Sequence, residues 1–220
     1  MRKVLVGTPS HDGRLDVWYV NSLIRTIKAA PKDWQIDPVF LSFDSLIQRA
    51  RNSLVEIALS QKYDDLFFID SDTEWEPQNF FSLLECPEDV VGAALVKKSD
   101  TNESYTAKIT NKSLKYNSGK NLISVDGIGT GFLKISAKAL EEVWYHSLPY
   151  YRDENKKEER MIFDLSIKNG ELISEDYIFC EKWTKLGHKV FMDPSFTINH
   201  VGSKKYTGDI SSFMKNLGYK

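Results

Sequence analysis

The chain has 220 residues, of which 41% are hydrophobic, 12% aromatic and 27% charged, the balance of a soluble globular protein and not of a disordered or fibrous one. No apolar run approaches the roughly 20 residues of a membrane helix, Met1-Arg2-Lys3 leads into too short an apolar stretch for a signal peptide, and Cys86 and Cys180 suit neither a disulfide framework nor a paired-cysteine zinc site. A formal net charge of −2 provides no global attraction to nucleic acid, so the expectation is one cytoplasmic domain.

Residues 3–7 (KVLVG) form a short apolar run stopped by Gly7-Thr8-Pro9 and read as a buried strand. Residues 15–30 carry apolar side chains at helical spacing, with Val20, Leu23, Ile24 and Ile27 on one side. A second strand is expected over 36–41. Asp44 is placed to cap a helix running to about Gln61. A third strand covers 65–70, Pro77 opens a helix at its first position, and a fourth strand covers 90–96. Strand alternating with helix in this way implies a parallel sheet covered by helices, whose ligands bind beyond the carboxyl ends of the strands.

The second half is less regular. Strands are expected over 104–110 and 131–135, helices over 137–145 and 175–186, and extended stretches over 189–192 and 196–200. The mixed-charge run 152–160 (RDENKKEER) reads as a solvated loop in preference to a binding element.

The stretch 66–77 (LFFIDSDTEWEP) ends a buried strand in two carboxylates, Asp70 and Asp72. Residues i and i+2 of a regular strand sit about 6.5 Å apart on one face, so the pair converges only if the backbone leaves its pleat. Such a pair serves metal binding or contact with the hydroxyls of a nucleotide sugar; Asp-Ser-Asp is also good turn chemistry. Arg51 lies on the apolar line of Ile47, Leu54 and Ala58, where a guanidinium needs a partner or a wet exit. Glu175 and Asp176 open a helix, either as favourable first-turn acids or as a general base presented at its end. A lone histidine such as His200 is more often structural than a ligand.

The ordered set of motifs "SLIQRARNSLVEIAL", "FFIDSD", "DGIGTGFLKIS", "SEDYIFC" and "HVG", coming after a strand that ends in Thr8-Pro9, resembles the GT-A fold of nucleotide-sugar glycosyltransferases, closest to the family 2-like enzymes. Compact enzymes with this pattern are similar to phage-encoded glycosyltransferases acting on hydroxymethylated pyrimidines in DNA and to enzymes of bacterial surface polysaccharide. The resemblance implies a single α/β domain with a Rossmann-like, mostly parallel central sheet flanked by helices. Residues 1–100 would form its nucleotide-binding half, 101–202 its acceptor and catalytic half, and 203–220 a tail.

It also implies roles. Asp72 and His200 would ligate a divalent metal, Mn2+ or Mg2+, bridging the diphosphate of a UDP-sugar, with phosphate and water completing the shell. Thr8, Pro9, Arg51 and Asn52 would hold the nucleoside; Asp70, with Ser71 beside it, would contact ribose or sugar. Gly129, Thr130 and Gly131 would let the backbone approach the ligand closely. Asp176 would deprotonate the acceptor, with Glu175 binding it, and Lys204 or Lys205 would neutralise the leaving diphosphate. The basic, aromatic tail (Lys204, Lys205, Tyr206, Lys215, Tyr219, Lys220) suits a nucleic-acid acceptor as well as a folded closing segment. A nucleotidyltransferase and an inactive binding module on the same fold are the competing classes. The segment 7–14 (GTPSHDGR) is only loosely like a nucleotidyltransferase's phosphate loop, and joint retention of Asp70, Asp72, Asp176 and His200 argues against the inactive module.

Overall fold

The computed structural model describes residues 1–109, 122–152 and 156–219. One seven-stranded sheet organises it, built from β1 (Arg2–Ser10), β2 (Trp34–Ser42), β3 (Asp65–Ile69), β4 (Val90–Gly92), β5 (Ile123–Val125), β6 (Phe132–Ser136) and β7 (Val190–Met192). Their spatial order is β2-β1-β3-β6-β4-β7-β5. Strands β1, β2 and β3 pair in parallel, as do β4 and β7. Strand β6 runs antiparallel between β3 and β4, and β5 antiparallel at the edge. The helices are α1 (Val17–Ala29), α2 (Ile47–Ser60), α3 (Pro77–Leu84), α4 (Ala137–Tyr145), α5 (Glu175–Lys185) and α6 (Ile210–Asn216). This is the mostly parallel, helix-flanked α/β architecture expected.

Alternation along the strands assigns each side chain to a face. Val4, Val6, Phe67 and Ile69 join Tyr19, Trp75 and Phe80 in one apolar layer. Leu5, Leu66 and Phe68 join Leu54, Phe163, Phe179 and Trp183 in the other. Strand β3 is therefore buried on both faces, and the acidic turn after Ile69 emerges at the sheet's carboxyl end.

Several expectations are corrected. Helix α1 buries Tyr19, Ser22, Leu23 and Thr26, while Ile24 and Ile27 are exposed. The cost of burying its polar members is offset by bonds from Trp75, whose Nε1 donates to Thr26 Oγ1 at 3.0 Å and whose backbone N donates to Ser22 Oγ at 3.2 Å. The N-cap of α2 is Leu46, without a side-chain cap bond. Asp44 stands two residues earlier, accepting from Leu46 N at 3.0 Å and gripping Arg49. The fourth strand ends at Gly92. The chain then pairs locally, Thr106 N donating to Leu95 O and a bridge joining Val96 to Tyr105.

The strand expected over 104–110 is reduced to Ala107–Lys108, which pairs with Gly127–Ile128; Thr110 lies outside the described residues. The charged run 152–160 is only partly a solvated loop. Glu158–Arg160 forms a hairpin with Pro149–Tyr151, and Glu159 is buried between Ser53 Oγ (2.9 Å) and Tyr150 OH (2.5 Å). Residues 153–155 lie outside the described residues. The extended stretch 196–200 contributes a short strand, Asn199–Val201.

Candidate active site

Strand β3 delivers Asp70 to the carboxyl end of the sheet. The backbone leaves its pleat there, with Asp70 N bonded to Gly131 O and Thr73 N to Asp70 O. Asp70 and Asp72 are thereby freed from strand geometry. Thr73–Glu74 then pairs antiparallel with Asn199–Val201, setting His200 opposite Thr73. A bond of 2.7 Å from Val201 N to Asp72 O tightens this register. The late histidine so reaches the acidic turn through backbone pairing between distant parts of the chain, a contact that spacing alone does not reveal.

His200 Nε2 lies 3.4 Å from Asp72 Oδ1, and Lys98 Nζ lies 2.5 Å from Asp72 Oδ2. Burial pushes the Asp72 carboxyl up, but the bonds from His200 and Lys98 outweigh it and hold the group below the usual range. His200 Nδ1 is 3.0 Å from the Val96 carbonyl. A carbonyl oxygen only accepts, so Nδ1 carries a proton and Nε2 is the ring nitrogen turned toward Asp72. An oxygen and an imidazole nitrogen converging in this way, with the second ring nitrogen oriented by a carbonyl, fit a divalent cation. Among the described residues no group of three or more His, Cys, Asp or Glu forms a full metal cage, so any cation here needs ligand oxygens as well.

Arg51 projects from the buried side of α2 and is 5% exposed. Its Nη1 donates to Glu175 Oε1 and its Nη2 to Asp70 Oδ1 at 3.2 Å. One guanidinium thus ties the start of α5 to the end of β3, and its Nε has no partner among the described residues. Asp176, next to Glu175 in the first turn of α5, is half-buried. Ser174 Oγ and Tyr177 N donate to it, the latter at 2.8 Å, and among the described residues both bonds fall on Oδ1. Glu175 is buried and spoken for by Arg51, whereas Asp176 carries an oxygen outside those bonds. Burial, with the Asp176 charge as a lesser cause, pushes the neighbouring Tyr177 hydroxyl up to about 12.

The other expected site residues are placed as follows. Asn52 is fully buried, giving a bond to Phe163 O at 3.0 Å and accepting one from Phe163 N at 2.8 Å. It anchors the loop before α5. Thr8 is also buried, 2.6 Å from Tyr19 OH. Pro9 does line a cavity of about 240 Å3, together with Ser10, His11, Asp44, Ile47 and Gln48, beyond β1 and β2. The Ser71 carbonyl accepts from Asp16 N at 3.0 Å, joining the acidic turn to the start of α1.

Thr130 is buried, and the flanking glycines are close to protein atoms. A Cβ on Gly129 would lie 2.9 Å from Thr106 Cβ, and one on Gly131 3.0 Å from Asp70 Oδ2. Gly131 makes room for the Asp70 carboxylate. Lys204 pairs with Asp100 at 2.5 Å, and Lys205 pairs with Glu74 at 2.7 Å over the Trp18 ring. Lys98 escapes a reading of the motifs because nothing in its sequence surroundings marks it; only the fold brings it to Asp72.

No protein-family model and no curated protein sequence matches the chain. Among solved structures it is similar to A197 from STIV, at 18% identity and a TM-score of 0.57, covering 92% of this chain and 86% of that one. That likeness establishes a shared α/β fold. Weaker likenesses are to a glycosyltransferase involved in glycosylation of the major capsid of PBCV-1 (TM-score 0.36, 11% identity, 66% of each chain) and to the inositol-1-phosphate CTP transferase from T. maritima (TM-score 0.46, 10% identity, 91% of this chain and 89% of that). At such scores they carry no weight for this chain's chemistry.

Proposed function

We propose that the chain is a metal-dependent glycosyltransferase that moves a sugar from a nucleotide-sugar donor, a UDP-sugar first, to an acceptor hydroxyl. The observation that carries the reading is the buried Arg51, which joins Asp70 to the helix bearing Glu175 and Asp176, while Asp72, two positions beyond Asp70, faces His200. A donor's diphosphate would lie at Asp72 and His200. Its nucleobase has the cavity beside Pro9 and His11 available, and Asp70 accepts hydroxyls of ribose or sugar.

Asp72 and His200 would hold a divalent ion, which would supply positive charge where the leaving diphosphate gains negative charge. Asp176 takes the acceptor proton as the acceptor oxygen attacks the anomeric carbon, which gives inversion. Glu175, neutralised by Arg51, fixes the start of α5 so that Asp176 stays in place. The favoured acceptor is a hydroxymethylated pyrimidine in DNA, with a bacterial surface saccharide as the alternative. The pairing of Lys204 and Lys205 with acids restricts the tail's part in holding DNA.

The test is a panel of UDP- and GDP-sugars with Mn2+, scored for nucleoside diphosphate release against hydroxymethylcytosine-containing DNA and surface saccharides. Metal-dependent release with one donor and one acceptor is expected. Pyrophosphate release from a nucleoside triphosphate and a sugar phosphate would instead make the chain a nucleotidyltransferase.

A further inference from the structure

Lys98 reaches the Asp72–His200 pair from a loop that the fold holds closed. Lys97 N donates to Ser104 O at 2.7 Å, Val96 bridges Tyr105, and the Val96 carbonyl orients His200. The stem of Lys98 runs over Gly202, where an added Cβ would lie 3.2 Å from Lys98 Cδ and 3.5 Å from Cε. The glycine of the "HVG" motif therefore leaves the channel along which the ammonium reaches Asp72 Oδ2. With its Nδ1 proton engaged by Val96, His200 turns Nε2 to the other Asp72 oxygen, at 3.4 Å. Lys98 puts an ammonium directly on the half-buried carboxylate, whose charge needs such a partner.

We propose that Lys98 is a tethered counter-ion that holds the place of a divalent cation on Asp72, so that a metal binds only by displacing it. The inference rests on the metal-dependent reading above. A cation shared by Asp72 and His200 and an ammonium on the same carboxylate would stand within a few ångströms of each other, where like charges repel. The lysine is the partner free to leave, because its four-carbon stem is flexible and its head is partly solvated. Lys98 thereby sets the metal concentration at which the site fills and keeps the acidic turn formed until it does.

The test is Mn2+ titration of wild type, Lys98→Met and Lys98→Arg at low ionic strength, read by the electron paramagnetic resonance signal of free Mn2+ without nucleotide. Lys98→Met should bind Mn2+ roughly three- to tenfold more tightly, the scale of a partly exposed ion pair no longer broken, and Lys98→Arg should stay near wild type. Equal or weaker binding by Lys98→Met, or equal tightening by both variants, would overturn the inference and leave the metal-dependent reading standing. No Mn2+ binding by any of the three proteins would overturn the inference, while the metal-dependent reading stands or falls separately on Mn2+-dependent binding of UDP.

Discussion

Arg51 and Arg49 lie two positions apart on α2 and have opposite circumstances. Arg49 is paired with Asp44 at 2.7 Å and is 40% exposed at its side chain, whereas Arg51 is shut between Asp70 and Glu175. Removing one member of a buried charge pair strands the other, at a cost of about 3–5 kcal/mol. Arg51→Met should lose stability on that scale in urea denaturation, and Arg49→Met less, because Arg152 also faces Asp44 at 3.6 Å. Equal losses would contradict the clamp. That Arg51 needs a partner is legible in the sequence, because it interrupts an apolar line. The partners are not legible, since Glu175 is 124 positions away and only the packing of α5 against the sheet brings it close. Asp176→Asn keeps shape and removes the basic oxygen. Its turnover number should fall by roughly 10²–10⁴ with donor affinity intact in a calorimetric titration, whereas a purely capping acid would leave turnover near normal.

The elements are legible where burial and apolarity coincide, as in β3, and obscured where polar side chains take buried places. Helix α1 is the clear case. Apolar spacing faces Ile24 and Ile27 inward, but the helix buries Ser22 and Thr26 because Trp75 donates to both. Strand β4 looks longer in the sequence than it is for a related reason, since Ala93, Leu95 and Val96 are buried outside the sheet. Gly92 marks that strand's end, and a Cβ there would meet the Phe132 carbonyl oxygen at 2.7 Å. Gly92→Ala should therefore destabilise by about 1–3 kcal/mol, the cost of overpacking, seen as a lowered urea midpoint. At the start of α2, the side-chain bond from Arg49 holds the Asp44 carboxyl below the usual range. A depressed carboxylate contributes stability above its unfolded value of about 3.9 and loses it as pH falls through the folded value. From about pH 5 down to about pH 3, on either side of that unfolded value, Asp44→Asn should show a shallower decline in urea midpoint than wild type.

At the scale of the whole molecule, the alternation of strand and helix in the first hundred residues dictates the parallel half of the sheet and the end at which the acidic turn emerges. The insertion of β6 antiparallel between β3 and β4 is not legible, because a short apolar run carries no mark of its direction. That insertion puts Gly131 beside Asp70, and the small sheet of Thr73–Glu74 with Asn199–Val201 puts His200 beside Asp72. The site is a product of topology applied to residues that the motifs themselves name. Its central claim is that Asp72 binds a nucleotide through a divalent ion. The most direct measurement is calorimetric titration of UDP into wild type and Asp72→Asn, each with and without Mn2+. Wild type should bind UDP with Mn2+ and lose that affinity when the metal is chelated, while Asp72→Asn, folded by circular dichroism, should show no Mn2+ dependence. UDP affinity indifferent to Mn2+ in wild type, or the same Mn2+ dependence in both proteins, would contradict the account.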